Sequence, residues 1–578
     1  MTILLVASAF NSLTQRVFCA LADRGHRVAV ELALGDEALR QAVRRHDPRL
    51  ILAPMLTTAI PEDIWSARPC LIVHPGPPGD RGPSSLDRAV REGATRWGVT
   101  VLQAEAEMDA GPVWASASCP VPPVGKSDLY RGELADAALE AVLTAVERFD
   151  SGTYTPRRQP PEADGTFPAR PLLRQAERRI DWAADPTEAV LRELRAADSQ
   201  PGVLDAFLGG EWFLHGGHPE DRLTGRPGEV VATRHGAICR ATVDGAVWIP
   251  QLRPRRRPQG PRTYPLPATT VLGDRLRGVP EAPCGLWPVE DHRTWQDITY
   301  TEQGPVGFLR FTHPGGAMCA QRCRRLLHAY AFACSRPTEV LVLGGPRDFF
   351  SNGIHLGVIE AAADPAVESW TNIQAMDDLV EAVLRTTDRL VVAALCGNAA
   401  AGGAMLALAA DEVWCRAGAV LNPHYRLMGL YGAEFWTYTL PRRVGDRMAE
   451  RLTQRALPVS AARAQEIGLV DRVLECAVGD FAGEVARMAA RLAAGAGLRS
   501  RIGAKKAARE RDEAARPLGA YRAAELERMR EVFFDPTAPY HALRSAFVTK
   551  RRPERTPDHL VETPTDPMCP NGRTSRIM

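Results

Sequence analysis

The sequence lacks both an excess of charge of one sign and paired cysteines. Its 71 basic and 69 acidic residues nearly cancel over 578 positions, so it has no electrostatic footprint for nucleic acid or an anionic membrane. The 12 cysteines are scattered without a CxxC pair, which indicates neither a zinc site nor a disulfide framework. These absences predict a cytoplasmic protein without a metal, whose partners are small molecules or other proteins.

The sequence also lacks an uninterrupted apolar run long enough to span a membrane. Residues 391–410 have the length of a span, but Gly397, Gly402 and Gly403 interrupt them near the centre. We therefore predict a buried strand, a glycine turn and a buried helix there. The apolar start at residues 3–7 has no preceding Lys or Arg and is predicted to be a buried strand rather than a signal peptide.

The length and the pattern along the chain predict an α/β protein of several domains. Apolar runs alternate with helix-like stretches over residues 1–160, which predicts a parallel sheet. Short alternating strands predict a small β-barrel within residues 161–260. Residues 261–300 are predicted to be a linker, residues 301–548 a second α/β domain, and residues 549–578 a disordered tail.

A histidine and an aspartate mark the first candidate site. His74 ends the apolar run 71–73 and begins a loop rich in proline and glycine, and Asp109 lies on a turn after the run 98–102. Ligands bind at the carboxyl ends of strands in open α/β sheets. On adjacent strand ends, His74 and Asp109 could share a proton as general acid and base. Taken alone, an ordinary loop histidine and turn aspartate are the simpler interpretation.

The arrangement resembles the folate-dependent formyltransferase family, which includes methionyl-tRNA formyltransferase. His74, Arg81, Gly82 and Asp109 match the proline loop and the Asp-x-Gly turn of that family in order and spacing. The resemblance implies a Rossmann-like domain followed by an OB-like barrel, with 10-formyltetrahydrofolate as the formyl donor. It also implies that His74 and Asp109 are catalytic. The implied folate contacts are Arg81, Gly82, Ser84 and Ser85.

One position departs from that family. The asparagine that donates to the developing oxyanion falls at Ile72 here, and loss of one such donor typically costs about two to three orders of magnitude in rate. Either another group stabilises the oxyanion, or the acceptor is not the usual amine. A thiol acceptor is a stronger nucleophile as its anion and needs less help.

Two glycine turns mark the second candidate site. Residues 349–356 and 397–404 each follow a strand and open a helix, and amides exposed at such turns can bind an oxyanion. Tight helix packing explains either turn when it is taken alone. Together they resemble the crotonase, or enoyl-CoA hydratase/isomerase, superfamily over about residues 306–547. The resemblance implies that the amides of Ile354 and Gly402 polarise a thioester carbonyl.

The two glutamates of the hydratases are absent. Their positions hold Met405 and His424, so hydration of an enoyl thioester is not expected. Groups able to move a proton nearby are His424, Tyr425, Tyr431 and Glu434. Burial in an apolar and aromatic stretch would raise the pKa of Glu434 toward that of a general base. We therefore predict Tyr425 and Glu434 as the catalytic pair, while the residue that removes the substrate proton stays open.

The two modules in this order resemble the HypX/HoxX family of hydrogenase maturation proteins over nearly the whole chain. The resemblance implies formyl transfer from 10-formyltetrahydrofolate to coenzyme A, then decarbonylation of formyl-CoA to carbon monoxide for a nickel-iron hydrogenase. Other maturation proteins are candidate partners. Two alternatives stay open: an amine formyltransferase fused to an unrelated acyl-CoA hydrolase, and a non-enzymatic folate-binding scaffold. The oligomeric state and the existence of a cavity shared by both sites also stay open.

Overall fold

The computed structural model describes residues 1–159, 170–345 and 347–561. Three units follow one another: an N-terminal α/β domain, a β-domain, and a C-terminal α/β domain that begins at Ile298. This order confirms the predicted fold class. The predicted domain boundary at residues 160 and 161 lies outside the described residues.

The N-terminal domain contains one sheet with helices on its two faces. Its strands are β1 (Thr2–Ala7), β2 (Arg27–Leu32), β3 (Leu50–Met55), β4 (Cys70–His74), β5 (Arg96–Gln103) and β6 (Val113–Pro120). Its helices are α1 (Ser12–Asp23), α2 (Asp36–His46), α3 (Glu62–Trp65), α4 (Ser85–Arg91), α5 (Lys126–Arg131) and α6 (Glu133–Ser151). The sheet order is β2-β1-β3-β4-β5-β6.

The first four strands of this sheet are parallel, as their apolar runs predict. Strands β5 and β6 run antiparallel to their neighbours, so the expectation of an entirely parallel sheet is wrong. The loop between β5 and β6 spans residues 104–112. It is too short for the helical crossover that parallel neighbours need.

The β-domain is built from two four-stranded sheets, ordered β10-β11-β12-β9 and β14-β13-β8-β7. Its strands are β7 (Val203–Phe207), β8 (Gly210–His215), β9 (His218–Glu220), β10 (Val230–Arg234), β11 (Ala237–Ala241), β12 (Ala246–Ile249), β13 (Gln251–Pro254) and β14 (Leu266–Pro267). Its helices are α7 (Thr187–Ala196) and α8 (Ala268–Leu272).

The expectation of a linker at residues 261–300 is wrong. Strand β14 pairs with β13, and α8 buries Ala268 and Leu272 in the core of the β-domain. Farther along, Trp295 packs against the buried Trp248 at a ring separation of 6.4 Å. Each of these segments buries only one or two side chains, so the average composition of the stretch gave no sign of them.

The C-terminal domain contains a six-stranded sheet, β15-β16-β17-β18-β20-β23, and a three-stranded sheet, β19-β21-β22. Its strands are β15 (Ile298–Gln303), β16 (Val306–Phe311), β17 (Val340–Leu343), β18 (Leu390–Leu395), β19 (Ala399–Ala400), β20 (Glu412–Arg416), β21 (Val420–Asn422), β22 (Val459–Ser460) and β23 (Arg472–Leu474). Its helices are α9 (Ala320–Cys334), α10 (Leu356–Ala361), α11 (Pro365–Arg385), α12 (Gly402–Leu408), α13 (Trp436–Val444), α14 (Asp446–Arg455), α15 (Ala461–Glu466), α16 (Phe481–Ala494), α17 (Leu498–Ala515), α18 (Leu518–Phe534), α19 (Pro539–Val548) and α20 (Asp558–Val561).

The apolar segment 391–410 forms strand β18, a glycine turn and helix α12, as predicted. Both elements are buried in the main core of the C-terminal domain. Within the described ranges, every helix is too short or too polar to cross a bilayer.

Residues 549–561 are ordered, so the expectation of disorder is wrong for this part of the tail. Helix α20 buries Leu560 in the core of the N-terminal domain. The Thr556 hydroxyl accepts a hydrogen bond of 3.0 Å from the Leu32 amide on the edge strand β2. These two contacts are enough to order the segment, because the N-terminal domain supplies the surface against which it packs. Residues 562–578 lie outside the described part of the chain.

Ion pairs join the N-terminal and C-terminal domains beside the first glycine turn. The Arg347 guanidinium donates to the carboxylates of Asp128 and Glu133 at 2.9 to 3.1 Å. Arg131 donates to both oxygens of Asp348 at 2.6 and 2.7 Å. Because Arg347 and Asp348 immediately precede the turn, the N-terminal domain holds the start of that turn in place.

Candidate active sites

The first candidate site lies at the carboxyl end of β4. His74 is 5% exposed, with Nε2 2.9 Å from Asp80 Oδ2 and Nδ1 3.4 Å from Asp109 Oδ1. Because β5 is antiparallel to β4, their carboxyl ends do not meet, contrary to expectation. The loop 104–112 instead returns toward the end of β4 and brings Asp109 to the imidazole.

The two carboxylates determine the charge of His74. Burial lowers the pKa of His74, but the hydrogen bonds to Asp109 and Asp80 outweigh it and raise the pKa to about 9. Burial raises the pKa of Asp109, but the hydrogen bond and charge of His74 outweigh it and lower that pKa. The imidazole therefore carries a proton near neutral pH. Ile72, two residues earlier, places a half-buried apolar side chain in the sheet where the formyltransferases have an amide donor.

Asp80 belongs to this site and was not identified from the sequence. It is 2% exposed and lies in the proline loop, six residues after His74. Gly76 makes the contact possible, because a Cβ there would lie 2.1 Å from Asp80 Oδ2 and 2.6 Å from His74 Nε2. The spacing His-x-Gly-x3-Asp was the available sign, but it required knowledge of how the loop closes.

Two of the predicted folate contacts lie on the loop beside Asp109. Arg81 pairs with Glu107 at 2.9 Å, and the Gly82 amide donates to Asp109 Oδ2 at 3.2 Å. Gly82 has a φ of +114°, a conformation that favours glycine. Both residues therefore fix the loop next to the catalytic candidates.

The other two predicted folate contacts have structural roles. Ser84 and Ser85 are both buried. The Ser84 hydroxyl accepts from the Leu173 amide at 3.1 Å, and the Ser85 hydroxyl donates to the Pro75 carbonyl at 2.8 Å. Both hydroxyls therefore help to fix the loop, and their contact with folate stays a prediction.

The two glycine turns of the second candidate site lie side by side. Backbone hydrogen bonds of 3.0 and 2.9 Å join residues 350–351 to residues 398–400 just before the chain turns. A Cβ added at Gly353 would lie 3.2 Å from the Gly402 nitrogen. Within the described residues, neither the Ile354 amide nor the Gly402 amide donates a hydrogen bond. The predicted pair of amides thus comes from adjacent turns and is available to an acceptor.

Glu434 and Tyr425 meet beside Gly402. The Tyr425 hydroxyl donates to Glu434 Oε2 at 2.7 Å, and the Ala433 amide donates to the same oxygen at 3.1 Å. The other oxygen, Oε1, lies against Gly402, where an added Cβ would be 2.1 Å away. Glu434 is 1% exposed. The carboxylate therefore contacts the turn that carries the second amide.

Burial controls the protonation of this pair. It raises the pKa of Glu434 to about 7, although the Tyr425 hydrogen bond lowers it, and the nearby Glu525 carboxylate adds to the increase. Burial also raises the pKa of Tyr425 well above its ordinary value. Glu434 can therefore take up and release a proton near neutral pH, while Tyr425 stays protonated and directs the carboxylate.

Among the described residues, the other two proton-carrying candidates make no hydrogen bond to this pair. His424 is buried, has no hydrogen-bond partner among the described residues, and has a pKa lowered by burial to about 4. Tyr431 is 38% exposed and packs against Trp436. Met405 is fully buried in α12. The structure therefore brings together only Tyr425 and Glu434 of the four groups.

A narrow cleft lies between the N-terminal and C-terminal domains near the second site. Arg16 and Arg131 line it from the first domain, and Arg416 lines it from the other. Residues 348–349 and 397–398, which lead into the two glycine turns, complete its wall. Arg16 and Arg416 both pair with Asp136, and Arg131 pairs with Asp348, so the charges of the three arginines are already matched.

One group in the described residues has the spacing of metal ligands: Glu220, Asp221 and His292. Both Glu220 oxygens are already occupied: Oε1 accepts from two backbone amides and lies 3.1 Å from His292 Nε2, while Oε2 accepts from Trp248 and Thr294. These hydrogen bonds outweigh burial and lower the pKa of Glu220 to about 2. The arrangement is that of a buried structural carboxylate.

Three family models match the chain in the order of its domains. The formyl transferase model matches residues 9–146, the formyl transferase C-terminal domain matches residues 172–263, and enoyl-CoA hydratase/isomerase matches residues 302–555. Two of the three matched segments thus contain the two candidate sites.

Relatives match either the whole chain or its first part. The chain is 47% identical to hydrogenase maturation factor HoxX of Bradyrhizobium diazoefficiens over 561 residues, 96% of each chain. It is 30% identical over 234 residues to methionyl-tRNA formyltransferase of Stenotrophomonas maltophilia, covering 39% of this chain and 73% of that one. The crystal structure of HypX from Aquifex aeolicus in complex with tetrahydrofolic acid superimposes with a TM-score of 0.93 at 42% identity, covering 97% of this chain and 98% of that one.

Proposed function

The chain belongs to the HoxX/HypX family of hydrogenase maturation factors, and from this we propose that it makes carbon monoxide from a folate-bound formyl group. The formyl group passes from 10-formyltetrahydrofolate to coenzyme A, and formyl-CoA then loses carbon monoxide for assembly of a nickel-iron hydrogenase. One observation carries the proposal. A crotonase-type amide pair lies beside a buried Glu434 and Tyr425 in a chain that lacks the hydratase glutamates.

In the first half-reaction, the thiol sulfur of coenzyme A bonds to the formyl carbon and the bond from that carbon to folate nitrogen breaks. Protonated His74 gives its proton to the leaving nitrogen, and its charge stabilises the oxyanion that forms in between. The proton lost by the thiol then restores the imidazolium, so the step is balanced. Asp109 and Asp80 hold the imidazolium ready for this task. Its positive charge offsets the amide donor lost at Ile72. The tetrahydrofolic acid complex of the Aquifex HypX supports folate as the carrier.

In the second half-reaction, the amides of Ile354 and Gly402 hold the formyl oxygen. Glu434 takes the proton from the formyl carbon while the carbon–sulfur bond breaks. The electron pair of the C–H bond stays on carbon, which leaves as carbon monoxide, and the sulfur leaves as a thiolate. Glu434 then returns the proton to the thiolate, so coenzyme A is regenerated. The hydrogen bond from Tyr425 keeps the Glu434 carboxylate directed toward the Gly402 turn.

We assign coenzyme A to the C-terminal domain, because the enoyl-CoA hydratase/isomerase model matches residues 302–555. A carrier bound there would bring its thiol end to the Ile354 and Gly402 amides.

The test is incubation of the protein with 10-formyltetrahydrofolate and coenzyme A, followed by detection of carbon monoxide in the gas phase and of tetrahydrofolate in solution. Both products are expected in equal amounts. His74→Ala should stop tetrahydrofolate release, because proton transfer typically contributes about two to four orders of magnitude in rate. A formylated amine, or formate without carbon monoxide, would contradict the proposal.

A further inference from the structure

One helix of the C-terminal domain contacts both parts of the second site. The buried face of α11 carries Asn372 and Asp377, both 0% exposed. Asn372 accepts a hydrogen bond from the His355 amide at 3.1 Å and donates to the Met318 carbonyl at 2.9 Å. Asp377 Oδ1 accepts from the Glu434 amide at 2.7 Å. The same helix therefore binds the first glycine turn and the turn that carries the predicted base.

Both turns need such side-chain partners because their backbone is irregular. Glu434 and the next residue, Phe435, have φ angles of +61° and +58°, a conformation that is unfavourable for residues other than glycine. A buried amide left without an acceptor destabilises the turn further. The Asp377 carboxyl supplies the acceptor for the Glu434 amide. Asn372 does the same for His355, the neighbour of the Ile354 amide.

A second helix holds the Glu434 turn from the other side. Glu525 on α18 accepts from the Phe435 and Thr437 amides at 2.8 and 2.9 Å, and α18 packs against α11. The backbone of the Glu434 turn therefore cannot move without breaking hydrogen bonds to α11 and α18. Its position relative to the glycine turns is set by α11.

We propose that Asn372 and Asp377 are positioning residues that fix the separation between the Ile354 amide and the Glu434 carboxylate. The two residues lie five positions apart on one helix, a rise of about 7.5 Å along a rigid rod. The amide holds the formyl oxygen and the carboxylate removes the formyl proton, so this inference rests on the proposed function. A misplacement of about 1 Å in such a pair typically costs about 100-fold in rate.

Asp377 does this work as a hydrogen-bond acceptor rather than as a charge. Burial raises its pKa well above the ordinary value, and the neighbouring Glu434 and Glu525 raise it further. Its second oxygen has no hydrogen-bond partner among the described residues, and Arg522 Nε lies 3.8 Å from that oxygen. A neutral asparagine at this position can therefore present the same acceptor to the Glu434 amide.

The test supplies formyl-CoA directly and measures carbon monoxide and formate, with tetrahydrofolate release from 10-formyltetrahydrofolate and coenzyme A measured in parallel. Asp377→Ala and Asn372→Ala should each lower the rate of carbon monoxide release about 100-fold and raise the share of formate. Tetrahydrofolate release should stay near the wild-type rate. Asp377→Asn should restore most of the carbon monoxide, because it keeps the oxygen that accepts from the Glu434 amide.

Asp411→Ala is the matched control. Asp411 also accepts a backbone amide, that of Val391, at 2.7 Å, and pairs with Lys505 in the same domain. Its loss should lower the melting temperature while the ratio of carbon monoxide to formate stays unchanged. A ratio that falls equally in this variant would show that general destabilisation, rather than positioning, explains the result.

The positioning role is refuted if folded Asp377→Ala and Asn372→Ala keep the wild-type ratio, or if Asp377→Asn is as impaired as Asp377→Ala. Should Asp377→Ala not fold, Asn372→Ala decides by the same ratio. Failure of the proposed function looks different. In that case the wild-type protein releases no carbon monoxide from formyl-CoA, or Glu434→Gln releases it at the normal rate.

Discussion

Replacing Glu434 with glutamine should stabilise the C-terminal domain while it stops carbon monoxide release. Burial raises the pKa of this carboxyl from 4.5 to about 7. Since one pKa unit corresponds to about 1.36 kcal/mol, the buried ionised form costs about 3 kcal/mol of folding free energy. Glutamine carries no charge and can keep one oxygen where Tyr425 and Ala433 donate. We therefore expect a net gain of about 2–3 kcal/mol above neutral pH.

The sign of the pH dependence follows from proton binding. Between pH 4.5 and about 7, Glu434 is protonated in the folded chain and ionised in the unfolded chain. The folded state binds more protons there, so wild-type stability falls as the pH rises through this window. The destabilising contribution is absent below pH 4.5 and constant above about pH 7. The advantage of Glu434→Gln should therefore be largest at pH 8 and shrink toward pH 5.

The assay is thermal unfolding of the full chain at pH 5 and pH 8. In a domain of this size, a gain of about 2–3 kcal/mol corresponds to a melting temperature about 5–10 °C higher at pH 8. Glu531→Gln, an exposed glutamate on α18, should not change the melting temperature at either pH. A Glu434→Gln variant that melts below the wild type at pH 8, or by the same difference at both pH values, would refute the reasoning.

Four further predictions concern rates and stability. Carbon monoxide release from formyl-CoA should rise with pH through about 7, because Glu434 loses its proton there. Tetrahydrofolate release should fall above about pH 9, because His74 loses its proton there. Initial rates between pH 6 and 10 test both predictions, and level profiles would contradict them. Asp80→Asn removes one carboxylate from His74, so the fall in tetrahydrofolate release should begin at lower pH; an unchanged midpoint would exclude Asp80 from this role. Arg347→Ala leaves two part-buried carboxylates unpaired, which typically costs about 3–5 kcal/mol in a buried pair; we expect a lower melting temperature and less carbon monoxide per tetrahydrofolate released, and normal values for both would refute the role of the interface.

The sequence predicted the parts of each site that lie within about one loop of their motif. The apolar run before His74 and the glycine turn before Gly402 depend on local backbone preferences, which are visible in a short window. Asp377 and Glu525 bond to the backbone at residues 434 and 435 from 57 and 90 positions away. On a helix, a carboxylate is normally a solvent-facing residue, so no local pattern marked these two as buried.

The predictions of a linker and of a disordered tail were wrong for a related reason. Composition describes the average of a segment, whereas ordering depends on the few side chains that meet another domain. In residues 549–561 these are Leu560 and Thr556, which contact the N-terminal domain. In residues 261–300, Trp295 contacts the β-domain. Each such contact joins distant parts of the chain, so sequence averages cannot report it.

The pKa shifts of the ionisable groups in the two sites suit the two proposed steps. Two carboxylates keep His74 protonated up to about pH 9, so the first site holds a proton to give. Burial keeps Glu434 protonated up to about pH 7, above which the second site can accept a proton. Both conditions hold together only between about pH 7 and pH 9. If burial raised the pKa of Glu434 above that of His74, no pH would keep both groups predominantly in the forms that the proposed steps need.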